Sequence, residues 1–225
     1  MTSSSSSLPY VDVNPHGTPR AVVVWLHGLG DSGNGFAPIV PELHMPAALG
    51  IRFVFPHAPV RPVTINNGMQ MRAWYDILSM DFNSRADSQG VLESAALVEA
   101  LIEAEIAKGV PANKIVLVGF SQGGVIALHL GTRYNKQLAG IMSLSSYMAM
   151  PETLSQQAHA ANKTTPIFIG HGQQDDVVPM FMGHAASQTL QSNGYEVSWH
   201  EYRMQHNVCP QELRDISTWL QQRLA

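Results

Sequence analysis

Ser121 is the residue whose neighbours most clearly suit nucleophilic catalysis, because it lies at the centre of the G-x-S-x-G pentapeptide 119–123. An apolar run, 115–118, precedes the pentapeptide, and a segment with a helical pattern follows it. A sharp turn from strand to helix needs glycine at 119 and 123, because side chains there would collide across the turn. A serine hydroxyl is a weak nucleophile, so this pattern predicts catalysis only together with a base, an acid and an oxyanion site.

Candidates for the acid follow a later strand. A strand, a G-x-S-x-G turn and a helix hold the nucleophile of α/β-hydrolases, in which the acid and then the histidine come later in the chain. The apolar run 166–169 predicts such a strand, and Asp175 and Asp176 lie on the loop after it. The residues alone leave open which carboxylate orients the histidine. We expect the other carboxylate to cap the helix that follows Pro179.

The general base must come after the acid, which leaves His184, His200 and His206. His184 falls within a helical pattern, and His200 falls inside the alternating strand pattern 195–202. His206 follows that strand on a loop, which is where the base of such a triad is expected. We therefore predict His206 as the base, with His200 as the alternative.

Acyl transfer also needs two hydrogen-bond donors aimed at the developing oxyanion. We predict that the backbone N–H of Gln122 is one donor, because it lies at the start of a helix whose dipole adds to it. The loop 27–31 follows the apolar run 21–26 and contains two glycines that allow its amides to turn inward. This loop is expected to supply the second donor.

Length and composition favour one domain acting on a small substrate. The 225 residues are 45% hydrophobic and 13% charged, with a net charge of −4 and no basic cluster, so no nucleic-acid partner is expected. Cys209 is the only cysteine, which excludes an intrachain disulfide and favours a reducing, cytoplasmic location. No Cys/His set suggests a metal site.

The N-terminal residues 1–9 contain a serine run without a basic start or an apolar core, so we predict a disordered leader rather than a signal peptide. The domain is then expected to span 10–225. No apolar stretch approaches the length of a membrane span, so no integral membrane association is expected.

Apolar runs alternate with helical patterns along the chain, which predicts an α/β fold with a mostly parallel central sheet and helices on both faces. The predicted strands are 21–26, 51–55, 115–118, 140–144 and 166–169, with 195–202 nearer the sheet edge, and the predicted helices are 91–108, 122–134, 180–191 and 210–223. The stretch 56–90 lacks clean periodicity. We expect it to cover the site, since no lid domain is evident.

Five segments in this order resemble the acyl-protein thioesterase and bacterial carboxylesterase family, also called the phospholipase/carboxylesterase family. The segments are Leu26-His27-Gly28-Leu29-Gly30-Asp31, Ala73-Trp74-Tyr75-Asp76, Gly119-Phe120-Ser121-Gln122-Gly123-Gly124, His171-Gly172-x-x-Asp175-x-x-Val178-Pro179 and Tyr202-x-x-x-His206. The resemblance runs from about residue 21 to the C-terminus. It implies a single-domain α/β-hydrolase without a lid domain.

The resemblance also implies roles for individual residues. Ser121, Asp175 and His206 would form the triad, which selects Asp175 over Asp176. The amides of Leu29 and Gln122 would form the oxyanion hole. Many members have glycine immediately before the histidine, whereas Gln205 stands there in this chain.

In this family the segment around Trp74 borders the acyl groove, and here that segment carries Met69, Trp74 and Tyr75. Methionine is unbranched and polarizable, so it suits a pocket that adapts to different acyl chains. We therefore predict these three residues as substrate-binding. The alternative is that they only fill the core.

The expected function is that of a serine carboxylesterase acting through an acyl-enzyme on a small-molecule ester or an acylated substrate, with acyl-protein thioesters and lysophospholipids as further candidates. No metal or organic cofactor is expected. The alternative is a non-catalytic acyl-binding or protein-interaction module on a hydrolase fold. A peptidase or C–C bond hydrolase is disfavoured by the missing lid. The sequence leaves a homodimer open.

Overall fold

The computed structural model describes residues 8–15, 17–79, 81 and 86–225. Most of the predicted leader, 1–7, lies outside the described residues. Leu8 is buried, and the N–H of His57 donates to the carbonyl of Pro9 at 2.8 Å. The packed part of the chain therefore already includes Leu8 and Pro9.

The described residues form nine strands, of which seven make one sheet. The strands are β1 (Tyr10–Val13), β2 (Ala21–Leu26), β3 (Ile51–Pro56), β4 (Val60–Val63), β5 (Met69–Arg72), β6 (Ile115–Phe120), β7 (Gly140–Leu144), β8 (Ile167–Gly172) and β9 (Val197–Tyr202). The large sheet has the order β1-β3-β2-β6-β7-β8-β9. All its neighbouring strands are parallel except β1, which pairs antiparallel with β3. The mostly parallel sheet confirms the predicted fold class.

The central strands are buried on both faces, which explains their continuous apolar sequences. Every residue of β2 and β3 is buried, as are the first five residues of β6. Strand β9 lies at one edge of the sheet, as its alternating pattern predicts. The carboxyl ends of β2, β6, β7 and β8 therefore meet along one edge of the sheet, which is where the predicted site residues follow.

Helices cover both faces of the sheet. The described helices are α1 (Gly33–Phe36), α2 (Ser88–Ala107), α3 (Gln122–Arg133), α4 (Leu154–Gln157), α5 (Met180–Ser192) and α6 (Pro210–Leu224). Helices α2, α3 and α5 contribute to one apolar core, and α6 contributes to the core on the opposite face. Asp87 caps α2 by accepting from the N–H of Gln89 at 3.1 Å.

Two sequence expectations differ from the structure. No side chain caps α5, so Asp176 does not have the predicted capping role. The stretch 56–90 contains an antiparallel hairpin of β4 and β5 that its sequence pattern did not reveal. Among the described residues, no helix is both long enough and apolar enough to cross a membrane.

Candidate active site

Ser121 sits at a strained turn between β6 and α3. Its backbone angles are φ 53° and ψ −119°, outside the regions that non-glycine residues usually adopt. A Cβ at Gly119 would lie 2.0 Å from the carbonyl oxygen of Gly123, and a Cβ at Gly123 would lie 2.4 Å from that of Leu26. Both glycines are therefore required by close backbone contacts, and the turn projects the hydroxyl from the sheet edge.

The structure brings Ser121, His206 and Asp175 into one hydrogen-bonded chain. His206 Nε2 lies 3.0 Å from Ser121 Oγ, and His206 Nδ1 lies 2.7 Å from Asp175 Oδ2. The carboxylate accepts a hydrogen bond from the Nδ1–H group, which leaves the Nε2 lone pair facing the serine hydroxyl. This is the arrangement in which a histidine can take the serine proton.

Asp175 is held in its ionised form by its surroundings. Its Oδ1 accepts hydrogen bonds from the N–H groups of Val177 at 3.0 Å and Val178 at 2.8 Å. Burial raises the pKa of the Asp175 carboxyl, but the hydrogen bonds from His206 and from the two backbone amides outweigh burial and lower the pKa overall. A charged carboxylate therefore faces the imidazole at neutral pH.

The other two candidate bases lie away from Ser121. His200 is within β9 and stacks on Phe168 at 4.3 Å between ring centroids, while His184 is within α5 and packs edge-on against Trp199. The side chain of Gln205, which stands where many family members have glycine, is exposed.

The loop 27–31, called the oxyanion loop below, lies beside the elbow. A Cβ at Gly28 would lie 3.3 Å from Ser121 Cβ, so the loop backbone approaches the nucleophile closely. Within the part of the chain that the structure describes, the N–H groups of Leu29 and Gln122 donate to no protein acceptor. Both predicted oxyanion donors are thus available to a ligand.

His27 fixes the start of the oxyanion loop. Its Nε2 accepts from the N–H of Ala58 at 3.0 Å, so Nδ1 carries the proton and donates to the carbonyl of Gly28 at 2.7 Å. Burial lowers the pKa of His27, which keeps the ring neutral. A neutral ring with both nitrogens bonded holds one orientation of the Gly28 carbonyl, and with it the adjoining Leu29 amide.

A second buried histidine, His171, supports the acid loop, 171–179. Its Nε2 donates to the carbonyl of Val178 at 2.8 Å and lies 3.5 Å from Asp175 Oδ2. Burial lowers the pKa of His171 as well. The sequence offered a signal for both histidines, because His-Gly ends or follows a buried strand in each case, but only the structure shows their bonds.

Trp74 and Tyr75, which were predicted to line an acyl groove, do not form an exposed groove wall. Both side chains are fully buried, whereas Met69 on β5 is 63% exposed. The Trp74 indole donates to the carbonyl of His27 at 2.9 Å, and the Tyr75 and Tyr147 hydroxyls are 2.9 Å apart. Trp74 and Tyr75 therefore lie in the core, where Trp74 hydrogen-bonds to the start of the oxyanion loop and Tyr75 to Tyr147.

A cavity of about 430 Å³, with both polar and apolar lining, lies between the loop after β7 and α5. Met148, Met150 and Met182 line it, together with Tyr147 and Phe181. Its volume falls within the range of small-molecule sites. These residues were not predicted, although three methionines close to buried strands and the acid loop were a usable signal. No group of three or more metal-ligating side chains occurs within the described residues.

Comparison with known proteins identifies the family of this chain. The phospholipase/carboxylesterase family model matches residues 10–224. Acyl-protein thioesterase 1 of Neurospora crassa is 40% identical over 91% of this chain and 87% of its own length. Its counterpart from Cryptococcus neoformans is 36% identical over 97% of this chain and 99% of its own length.

A solved structure is also similar to this chain. SOBER1 of Arabidopsis thaliana superimposes with a TM-score of 0.87 at 34% identity, covering 92% of this chain and 100% of that one. The fold and the single domain agree with this similarity. The chain is a hydrolase that belongs to the phospholipase/carboxylesterase family.

Proposed function

We propose that this protein hydrolyses carboxylic esters and thioesters through an acyl-enzyme on Ser121. His206 Nε2 takes the hydroxyl proton as Ser121 Oγ attacks the acyl carbonyl carbon. Asp175 keeps the imidazole in the required tautomer and stabilises its protonated form. The negative charge on the carbonyl oxygen is received by the N–H groups of Leu29 and Gln122.

Collapse of the tetrahedral intermediate expels the alcohol or thiol, which takes the proton from His206. A water molecule then gives a proton to the same imidazole and attacks the acyl carbonyl, and the carboxylic acid leaves as Ser121 regains its proton. The observation that carries this proposal is the unbroken chain from Ser121 Oγ through His206 to Asp175, with bonds of 3.0 and 2.7 Å.

A fluorophosphonate probe tests the nucleophile directly. One covalent label is expected per chain, and peptide mapping should place it on Ser121. Ser121→Ala should abolish labelling and reduce kcat by about 10³-fold or more. The matched control is Ser187→Ala, which removes the hydroxyl of another buried serine, on α5. Labelling at another residue, or unchanged turnover by Ser121→Ala, would contradict the proposal.

The substrate side of the proposal concerns acyl chains. The relatives named acyl-protein thioesterase support an acyl group carried by a thioester, and the methionine side chains that line the cavity offer it apolar surface. The exposed Met69 lies on the hairpin, and Met71 lies near Gly30 of the oxyanion loop. The acyl chain is thus bordered by the hairpin or by the cavity, with Trp74 beneath the hairpin side.

A chain-length series separates the two surfaces. Each buried methylene contributes about 0.8 kcal/mol at most, so two further carbons should raise kcat/KM by about tenfold until the groove is full. Met69→Ala and Met150→Ala are matched truncations, one on the hairpin and one in the cavity. The variant that flattens the length dependence identifies the surface that binds the chain. A flat dependence in the unaltered protein would contradict acyl binding at either surface.

The alternative of a non-catalytic acyl-binding module predicts at least one broken catalytic part. Serine, histidine, acid and two unoccupied backbone donors are instead present together. Complete absence of ester and thioester turnover, with acyl ligands still bound, would favour that alternative.

A further inference from the structure

Trp74 connects two parts of the site that belong to different elements. Its indole N–H donates to the carbonyl of His27 at 2.9 Å, at the base of the oxyanion loop. Its main-chain N–H donates to Gln122 Oε1 at 3.0 Å, at the start of α3. Gln122 Nε2 completes the connection by donating to the carbonyl of Tyr75 at 2.8 Å. The two proposed oxyanion donors, on Leu29 and Gln122, are therefore tied to the same short segment.

The segment that makes these bonds, 72–75, is itself held firmly. The side chain of Trp74 is fully buried, and the Ser94 hydroxyl of α2 donates to its carbonyl. The N–H of Gly30 donates to the carbonyl of Arg72 at 2.8 Å, which adds a second bond between the segment and the oxyanion loop. A displacement of Trp74 would therefore be transmitted to the loop that carries Leu29.

We propose that Trp74 is a positioning residue for the oxyanion hole, which it acts on through its bonds to His27 and Gln122. The proposal rests on the function proposed above, because it concerns the same hydrolytic site. Oxyanion donors act through preorganisation, and a misplacement of about 1 Å can cost about 10²-fold in rate. The indole N–H is thus required for rate rather than for acyl-chain recognition.

The two roles for Trp74 make different predictions about substrate length. A groove wall contacts long acyl chains more than short ones, so its loss would affect octanoyl esters most. An oxyanion hole binds the carbonyl oxygen that every ester shares, so its distortion would slow acetyl and octanoyl esters by the same factor.

The central experiment compares Trp74→Phe with Trp25→Phe. Both substitutions replace a fully buried indole by a phenyl ring, but Trp25 lies on β2 and its indole nitrogen has no partner among the described residues. Trp74→Phe should lower kcat/KM by about tenfold or more at every acyl length. Trp25→Phe should stay within about threefold of the unaltered protein. Thermal melts of both variants measure how much each substitution lowers the stability of the fold.

A transition-state mimic separates positioning from general damage. Ser121 Oγ adds to the carbonyl carbon of an alkyl trifluoromethyl ketone while its proton passes to His206, so the ketone oxygen becomes an anion in the oxyanion hole. The affinity of Trp74→Phe for this ketone should fall by the same factor as kcat/KM. Its affinity for the alcohol of the same chain length, which forms no oxyanion, should stay unchanged.

Gln122→Met gives an independent route, because it removes the side-chain bonds to Trp74 and Tyr75 while keeping the main-chain N–H of Gln122. It should reproduce the parallel loss of kcat/KM and ketone affinity, and the double variant should lose less than the product of the single losses. Should Trp74→Phe fail to fold, Gln122→Met alone decides the matter.

Three results would overturn the proposal: kcat/KM of Trp74→Phe equal to that of Trp25→Phe, a loss that grows with acyl length, or ketone affinity that stays unchanged in Trp74→Phe and Gln122→Met. Failure of the proposed function is a separate result. It would appear in the unaltered protein as missing ester turnover and missing label on Ser121.

Discussion

The oxyanion loop and the acid loop both carry a His-Gly pair at a buried strand, yet their histidines are held in different ways. Both ring nitrogens of His27 are bonded, one to Ala58 and one to Gly28, so partners on two segments fix it. His171 uses one nitrogen, bonded to Val178, and its Nδ1 has no partner among the described residues. The oxyanion-loop histidine is thus bonded to two segments, whereas the acid-loop histidine bonds only within its own loop. The acid loop is held in addition by its own carboxylate and by N–H bonds from Gln173 to Tyr202 and from Gln174 to Met204.

This difference follows from what each loop must position. An oxyanion loop supplies an uncharged backbone N–H, and the orientation of that N–H depends on the backbone conformation of the neighbouring residues. The acid loop supplies a carboxylate, and Asp175 orders its own loop by accepting from the Val177 and Val178 amides. The acid loop should therefore tolerate loss of its histidine better than the oxyanion loop does.

The largest effect is expected from Asp175→Asn. The new amide keeps an oxygen for the two loop amides, but its N–H₂ faces His206 and favours the tautomer that cannot accept the serine proton. We expect kcat to fall by about 10⁴-fold with little change in folding. Steady-state kinetics and thermal melts measure both. Asp176→Asn, an exposed neighbour, is the control, and equal losses in both variants would show that the loop rather than the tautomer was disturbed.

His27→Phe should have the next largest effect. It keeps a ring of similar size but loses the bonds to Gly28 and Ala58, so the Leu29 amide should leave its catalytic direction. A fall in kcat/KM of about 10²-fold is expected, comparable to loss of one oxyanion donor. Full activity in a folded His27→Phe protein would mean that Trp74 and Arg72 suffice to hold the loop.

His171→Phe should cost less activity, about tenfold, because Asp175 retains both amide bonds and its bond to His206. The Val178 carbonyl loses its donor, so unfolding free energy should fall by about 1–3 kcal/mol. Chemical denaturation and kinetics on the same preparation separate the two effects. A loss of activity equal to that of His27→Phe would break the contrast between the loops.

A third histidine, His129, is buried like His27 and His171 but does not belong to either site loop. His129 on α3 is 4% exposed, and burial lowers its pKa from 6.5 to about 4. Below pH 6.5 the unfolded chain binds a proton that the folded protein does not bind until about pH 4. The free energy of unfolding should therefore decrease by up to about 3 kcal/mol as the pH falls from 6.5 to about 4.

His129→Phe should flatten this pH dependence without changing kcat at neutral pH, since His129 contacts none of the triad residues. Denaturant melts between pH 7 and 4 give the slope. An unchanged slope would assign the acid sensitivity to other histidines whose pKa values burial also lowers, which are His27, His57, His171 and His200.

The sequence revealed elements that are buried on both faces, because continuous apolar runs such as Ala21–Leu26 leave few alternatives. It did not reveal β1, whose four residues are all partly exposed, or the hairpin strand Val60–Val63, which contains Pro62. Short edge strands have neither a continuous nor an alternating pattern, and their pairing depends on partners elsewhere in the chain.

Sequence reasoning could narrow the proposed triad because chain order and strand ends restrict where an acid and a base can lie, although only the family resemblance selected Asp175 over Asp176. The hydrogen bonds that support the site could not be predicted from the sequence. The family resemblance predicts Trp74 as a pocket residue, and only its bonds to His27 and Gln122 show where it points. Hydrogen bonds between segments that are far apart in sequence leave no local pattern.

The triad partners are also far apart along the chain, and this distance has a consequence for folding. Ser121 and His206 are separated by 85 residues, and Asp175 and His206 by 31. Such contacts form only after long loops have closed, which is slow compared with local helix formation. A partly folded or still incomplete chain therefore carries a serine without its base. The proposed hydrolysis therefore requires that the C-terminal segment has been synthesised and docked.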